Sequence, residues 1–229
     1  SAGYQPPKTA YYDGMQLGVM RGGHIFTAFK GGHNNESHNH NDVGNFIVYF
    51  DGEPWLIDVG VGTYTRDTFN ENRYKIWTMQ SGWHNLPEIG GHTQHNGGEY
   101  KAGEFVFDED QMIASVSYAG AYEKGTDIKT CTREWALDGD ILTVKDRIVC
   151  EKPTGVCWNF ILRDKPELIE NGFAVNGHSL IAGMPVKSMI EPKVLDDVSL
   201  KKDWDRDCLY RVRMVPEIRS DYDVTFRLI

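Results

Sequence analysis

The sequence lacks any apolar run able to cross a membrane: its longest, such as Phe46 to Phe50, fall far short of the roughly 20 residues a helical span needs. It also lacks a basic excess. Lys plus Arg number 24 against 33 Asp plus Glu, a formal charge of −9, and that sign excludes a generic nucleic-acid binder, whose affinity comes mainly from a basic surface. The polar start Ser1-Ala2-Gly3-Tyr4 does not read as a signal peptide, and the chain is expected to be soluble as given, as one with a removed leader would be. Sustained helical periodicity is missing as well. No stretch shows four turns of amphipathic spacing, and the best helical candidate, Asn70 to Met79, is short. There is no repeat of fixed period and no low-complexity segment. The four cysteines, Cys131, Cys150, Cys157 and Cys208, do not have paired zinc-finger spacing.

What is present is ordinary globular composition, 40% hydrophobic and 25% charged, enough for a sizeable core. A length of 229 residues suits one large β domain or two small ones. Glycine and proline fall at short intervals between runs rich in Val, Ile, Phe, Tyr and Trp, which is the punctuation of antiparallel strands. Strands are expected at Ile25 to Lys30, Phe46 to Phe50, Trp55 to Val59, Glu104 to Phe107, Gln111 to Tyr118, Gly172 to Asn176, Leu209 to Val215 and Asp223 to Leu228. So many strands with so little helix predict an all-β fold, an antiparallel β-sandwich or a jelly-roll-like barrel.

The pattern is clearest from Asp127 to Leu162. Leu142, Val144, Ile148 and Cys150 share one face of a strand, and Asp146 interrupts it. A buried carboxylate needs a partner, so Asp146 predicts a nearby Arg or backbone N–H groups. A two-residue turn at Asp138-Gly139 places Leu137 opposite Asp140 and Cys131 opposite Asp146. Cys150 is then out of register with Cys131 by roughly 13 Å, too far for a disulfide. Around Lys152-Pro153-Thr154-Gly155, Cys150 and Cys157 would face each other. A bridge there and a pair of small buried hydrophobes are both open readings.

The chemistry concentrates between Gly31 and Tyr100, where His24 apart, six of the eight histidines lie: His33, His38, His40, His84, His92 and His95. The densest piece, Ser37-His38-Asn39-His40-Asn41-Asp42, reads His-x-His-x-Asp. In an extended segment the side chains at i and i+2 project to one side, so His38 and His40 can converge on one ion or one substrate. Asp58 ends the apolar run Trp55-Leu56-Ile57, and His84 stands in Gly82-Trp83-His84-Asn85. Two imidazoles and one carboxylate with an open fourth position would suit zinc. A lone His-x-His pair also suits exposed loop histidines. A cupin would need a glutamate where Gly44 and Asn45 stand, and a metallo-β-lactamase-like pattern fails at Val43. His92 and His95, in a glycine-rich segment, read as a hairpin tip, while His24, His33 and His178 read as structural or exposed.

A longer order survives: His-x-His-x-Asp at 38–42, the strand Phe46 to Phe50, Gly52-x-Pro54, Asp58-x-Gly60, Gly62-Thr63-Tyr64, His84-Asn85 and Gln94. It resembles the C-terminal domain of the heparinase II/III-like polysaccharide lyases, a family that includes related alginate lyases. The resemblance runs from about Gln16 onward and continues weakly through Arg133 to Asp146. It implies that His40, Asp58 and His84 bind a structural Zn2+ that fixes the loop carrying His38. His38 would face the active site and neutralise a uronic-acid carboxylate, and Tyr64 would line the cleft. Arg66, Arg73 and Lys75 would add the local positive charge that a polyanion needs beside a net −9, although each also reads as a solvated surface charge.

The family's members begin with an α/α-toroid domain that supplies further catalytic groups, and nothing helical on that scale stands in this sequence. Residues 1–229 are therefore expected to form a single β-sandwich domain, the portion of a longer enzyme that binds metal and scarcely turns over alone. The implied partners are an acidic polysaccharide or oligosaccharide and the toroid domain, with no nucleic acid. The implied reaction is β-elimination, and the implied compartment is the periplasm or the exterior. The competing expectation is a non-catalytic carbohydrate-binding or structural β-sandwich that keeps the zinc site.

Overall fold

In a computed structural model of the protein, which describes residues 6–229, the alternation along the strands becomes two antiparallel sheets packed face to face. The segment Ser1 to Tyr4, read above for a signal peptide, lies outside the described residues. The strand Ile141–Thr154 shows how the sequence dictates this. Leu142, Val144, Asp146, Ile148 and Cys150 point into the core, while Lys145 and Arg147 point to solvent, as a two-residue period requires.

One sheet runs in the order Thr9–Tyr12, Leu17–Arg21, Ile25–Lys30, Phe46–Phe50, Glu53–Leu56, Val156–Leu162, Cys208–Val215 and Lys187–Val194, with Pro87–Ile89 also paired to Val156–Leu162. The other runs Glu167–Ile169, Gly172–Val175, His178–Ala182, Arg219–Leu228, Ile141–Thr154, Ile128–Asp138, Ile113–Ser117 and Phe105–Asp108. A small third sheet joins His33–Asn34 to Gly97–Lys101. Aromatic side chains from the two large sheets interdigitate: Trp135 stacks on Phe29 at 4.9 Å, Trp158 meets Phe226 edge-on at 5.5 Å, and Trp55 stacks on Phe173 at 5.6 Å. This is sandwich packing. Truncating one of these buried rings would cost about 3–5 kcal/mol.

Two local expectations are corrected, and one open reading is decided. The hairpin turns at Gly139-Asp140, not at Asp138-Gly139, because Asp138 pairs with Ile141 and Cys131 with Ile148. Gly139 takes a positive φ of 59° at the first central position, where glycine carries no steric penalty. The Asp140 carboxylate accepts the N–H groups of His24 and Ile25 at 2.6 and 3.3 Å, which also holds it in the turn. Cys150 and Cys157 form no bridge, and all four cysteines are free. The strand continues to Thr154 in one sheet, and the chain resumes at Val156 in the other, so Gly155 marks a crossing between sheets rather than a hairpin.

The helix expected over Asn70 to Met79 is instead two single 3-10 turns, Arg73–Lys75 and Trp77–Met79, separated by an extended Ile76. The single α-helix among the described residues is Val198–Trp204, whose first turn is capped by Asp197 accepting from the Leu200 N–H at 2.9 Å.

Candidate metal centre and cleft

Two irregular segments emerge from the first sheet, the loop 35–45 before Phe46–Phe50 and the long excursion 57–86 after Glu53–Leu56. The first carries His38 and His40, and the second starts at Asp58 and returns with His84. Backbone groups in such loops need partners, and here side-chain amides supply them. Gln94 reads the Val43 backbone like a neighbouring strand, donating to its carbonyl at 2.6 Å and accepting its N–H at 3.0 Å. Asn34 accepts the Asp42 N–H at 3.2 Å and donates to Gln94 at 3.1 Å. Asn85 donates to the carbonyls of Phe46 and Ile57 and accepts the Ile161 N–H.

This framework brings His40, Asp58 and His84 together. His40 Nδ1 lies 3.1 Å from His84 Nε2 and 3.9 Å from Asp58 Oδ1, and His84 Nε2 lies 3.4 Å from Asp58 Oδ2. One donor atom from each residue falls within 4.8 Å of the others. Zinc bonds of about 2.0–2.1 Å give a tetrahedral edge of about 3.3 Å, close to the His40–His84 and His84–Asp58 separations, while the His40–Asp58 distance, measured to the other carboxylate oxygen, is longer.

Two of the three donors, His84 and Asp58, are oriented from behind. His84 Nδ1 donates to the Gln80 carbonyl at 3.0 Å, which leaves the Nε2 lone pair for the site. Asp58 accepts the Gly60 N–H at 3.0 Å through Oδ1 and the Asn45 amide at 3.1 Å through Oδ2. Burial, the neighbouring His84 and Arg73 push the His40 pKa down. At His84 burial also lowers the pKa, but Asp58, Asp42 and the Gln80 carbonyl outweigh it and the net shift is upward. Burial raises the Asp58 pKa, and attraction to the two imidazoles with its hydrogen bonds carries it the other way, well below the usual carboxylate range.

His38 does not share this pocket. It sits in a turn with a left-handed φ of 59°, not in an extended segment, so it is exposed while His40 is buried. Tyr64 packs edge-on against the His38 ring at 6.5 Å and stacks on Phe69 at 5.6 Å, and both of these rings are largely exposed. Arg66 and Lys75 are exposed, and Lys75 donates to Asn72 at 2.7 Å. Arg73 is committed to the fold: its guanidinium donates to the Asn39 carbonyl at 2.8 Å and the Thr68 carbonyl at 2.9 Å. It thereby ties the His-x-His loop to the turn below Tyr64. His92 and His95 are exposed and stand outside the cluster.

A family model described as heparinase II/III-like, C-terminal, matches residues 5–203. The chain belongs to this family. No curated protein sequence matches it. Among solved structures it is similar to a heparan sulfate lyase mutant from Pedobacter heparinus, with a TM-score of 0.73 and 14% identity over 99% of this chain and 37% of that one. A heparinase III structure has a TM-score of 0.71 and 16% identity over 99% of this chain and 37% of that one. A 4-alpha-glucanotransferase from Thermococcus litoralis follows at 0.61 and 13%, over 98% of this chain and 40% of that one. At these identities the likeness is one of fold, and an enzyme named for a different reaction shares it, so the chemistry has to be argued from the site. The chain spans about a third of the length of the heparinase structures it matches.

Proposed function

We propose that this heparinase II/III-like chain is the β-sandwich portion of a polysaccharide lyase that cleaves uronic-acid-containing polymers, glycosaminoglycan or alginate, by β-elimination. One observation carries the reading: the His40–Asp58–His84 triangle, with both imidazoles buried and the carboxylate half-buried, stands two residues along the chain from an exposed His38 that packs against the exposed Tyr64. Zinc at the triangle would cross-link three separate segments, with no redox chemistry of its own. His38 would pair with the uronate carboxylate, reducing its negative charge so that the proton on the adjacent ring carbon becomes acidic.

A general base removes that proton, the electron pair forms a carbon–carbon double bond, and the bond to the glycosidic oxygen breaks as a general acid protonates that oxygen. Both proton-transfer groups are assigned to an α/α-toroid domain of the same enzyme. Tyr64 offers a ring face to the sugar. Arg66 and Lys75 supply local positive charge, with Arg73 acting through the loop it ties down. The compartment proposed is the periplasm or the exterior.

The test uses the intact enzyme that carries this domain, with heparan sulfate and alginate as substrates and the ultraviolet absorbance of the unsaturated uronate as readout. His38→Ala should slow elimination by about 100-fold or more while zinc content stays that of the wild type. Normal turnover by that variant would remove the role given to His38. Oligosaccharide binding by the 229 residues, with no unsaturated product from the intact enzyme, would identify a binding module instead.

A further inference from the structure

We infer that Arg133, held by Asp146, is a positioning residue for the metal centre, acting through two backbone carbonyls of the loops that emerge from the opposite sheet. The inference rests on the zinc reading above. Arg133 and Asp146 are cross-strand partners in the second sheet, both fully buried. The guanidinium forks onto the carboxylate, Nε to Oδ1 at 2.7 Å and Nη2 to Oδ2 at 2.6 Å, and Asp146 Oδ2 also accepts the Trp158 indole N–H at 2.7 Å.

Mutual neutralisation alone would leave Nη1 with nothing to do. Instead Nη1 crosses the core and donates to the Gly44 carbonyl at 2.9 Å and the Asn85 carbonyl at 2.6 Å. Gly44 precedes Asn45, whose amide holds Asp58, and Asn85 follows His84. One nitrogen therefore sets the spacing of the two segments that deliver two of the three ligands.

The surroundings make the clamp stiff. The guanidinium lies over the rings of Phe46 and Tyr118 at 5.2 and 5.7 Å. Gly44 has a φ of 83°, and a Cβ there would come within 3.3 Å of the Tyr118 ring, so the chain at Gly44 is held close to that wall. A buried ion pair is a poor way to gain stability, since apolar residues of similar volume usually serve as well or better. Its use here is accounted for by the two carbonyls, which an apolar pair could not hold.

The test compares zinc affinity, by competition with a chelating dye, and the visible spectrum of the Co(II)-substituted protein, which reports ligand geometry. Two variants remove the clamp differently. Arg133→Met with Asp146→Asn removes both charges and keeps an acceptor for Trp158, and Arg133→Lys keeps the charge but cannot fork to Asp146 while spanning two carbonyls. Val144→Ala, inward-facing on the same strand as Asp146, is the control for lost stability alone.

The expected result is zinc binding weakened about tenfold or more and a shifted cobalt spectrum in both folded clamp variants, with neither change in Val144→Ala. Unaltered affinity and spectrum in a folded clamp variant would overturn the inference, as would equal weakening by Val144→Ala. A wild-type chain that binds no zinc would overturn the zinc reading and this inference together, so the two failures are distinguishable.

Discussion

Asn45 accepts the Asn85 N–H at 2.9 Å through its side-chain oxygen while its amide donates to Asp58 at 3.1 Å. One short side chain thus fixes the carboxylate ligand relative to the segment that carries His84. Asn45→Ala should fold, because a single buried hydrogen-bonded amide is worth about 1–3 kcal/mol, yet hold zinc about tenfold more weakly. Dye-competition titration of the variant and the wild type measures this, and equal affinities would show that Asp58 orients itself.

The triangle predicts about one zinc per chain, measured by elemental analysis. His40→Ala should abolish it, because two remaining donors leave the ion half exposed to water. Stripping the wild type with a chelator should lower its melting temperature, since an ion that binds only the folded chain stabilises it by mass action. No change on stripping would mean that the three segments are held by their amides alone.

Proton competition sets the pH dependence. His40 is neutral at pH values where a free imidazole is charged, so it offers its lone pair without losing a proton. His84 keeps its proton to higher pH than a free imidazole, so it is the group from which metal must displace one. As pH falls through the raised His84 pKa, zinc should be released. Affinity should therefore decline on acidification, with the fall set by the raised His84 pKa rather than by His40. A flat profile would place the ion elsewhere.

Much of this was legible in the sequence, for physical reasons that differ by element. Two-residue alternation exposes the strands Ile25–Lys30 and Phe46–Phe50, and the isolated Asp146 on an apolar face announces a buried partner, found in Arg133. The family resemblance singled out His40, Asp58 and His84, and the fold brings one donor atom of each within 4.8 Å of the others. What was hidden depends on contacts distant in sequence. Nothing local marks Asn34, Asn45 or Arg133 as supports, because their partners lie in other segments. Strands such as Lys187–Val194, with an interrupted pattern and a proline, form because Cys208–Val215 offers an edge. The His38 loop misled for the same reason: Gln94 and Asn34, not strand pairing, set its shape.

Asp146→Ala should be far more damaging than a surface change. It leaves the Arg133 guanidinium, 1% exposed, without its counter-charge, and strands the Trp158 N–H. Breaking a buried pair from one side costs about 3–5 kcal/mol, a large part of the margin of a typical domain. Urea denaturation should show this as a lower midpoint with little change in slope. A loss below about 1 kcal/mol would mean that water reaches the pair.

Tyr64 separates stability from function. Its ring is 49% exposed and covers little of the core, so Tyr64→Ala should alter folding stability by no more than about 0.5 kcal/mol, as is usual for surface positions. The same truncation removes the edge contact to His38 and half of the stack with Phe69. If that surface is where the sugar lies, the variant enzyme should bind oligosaccharide more weakly and eliminate more slowly while keeping its zinc. Wild-type KM and kcat in a Tyr64→Ala enzyme would move the cleft away from the His38 loop. Loss of zinc instead would show that Tyr64 supports the loop rather than the substrate, because His40 stands only two residues beyond His38.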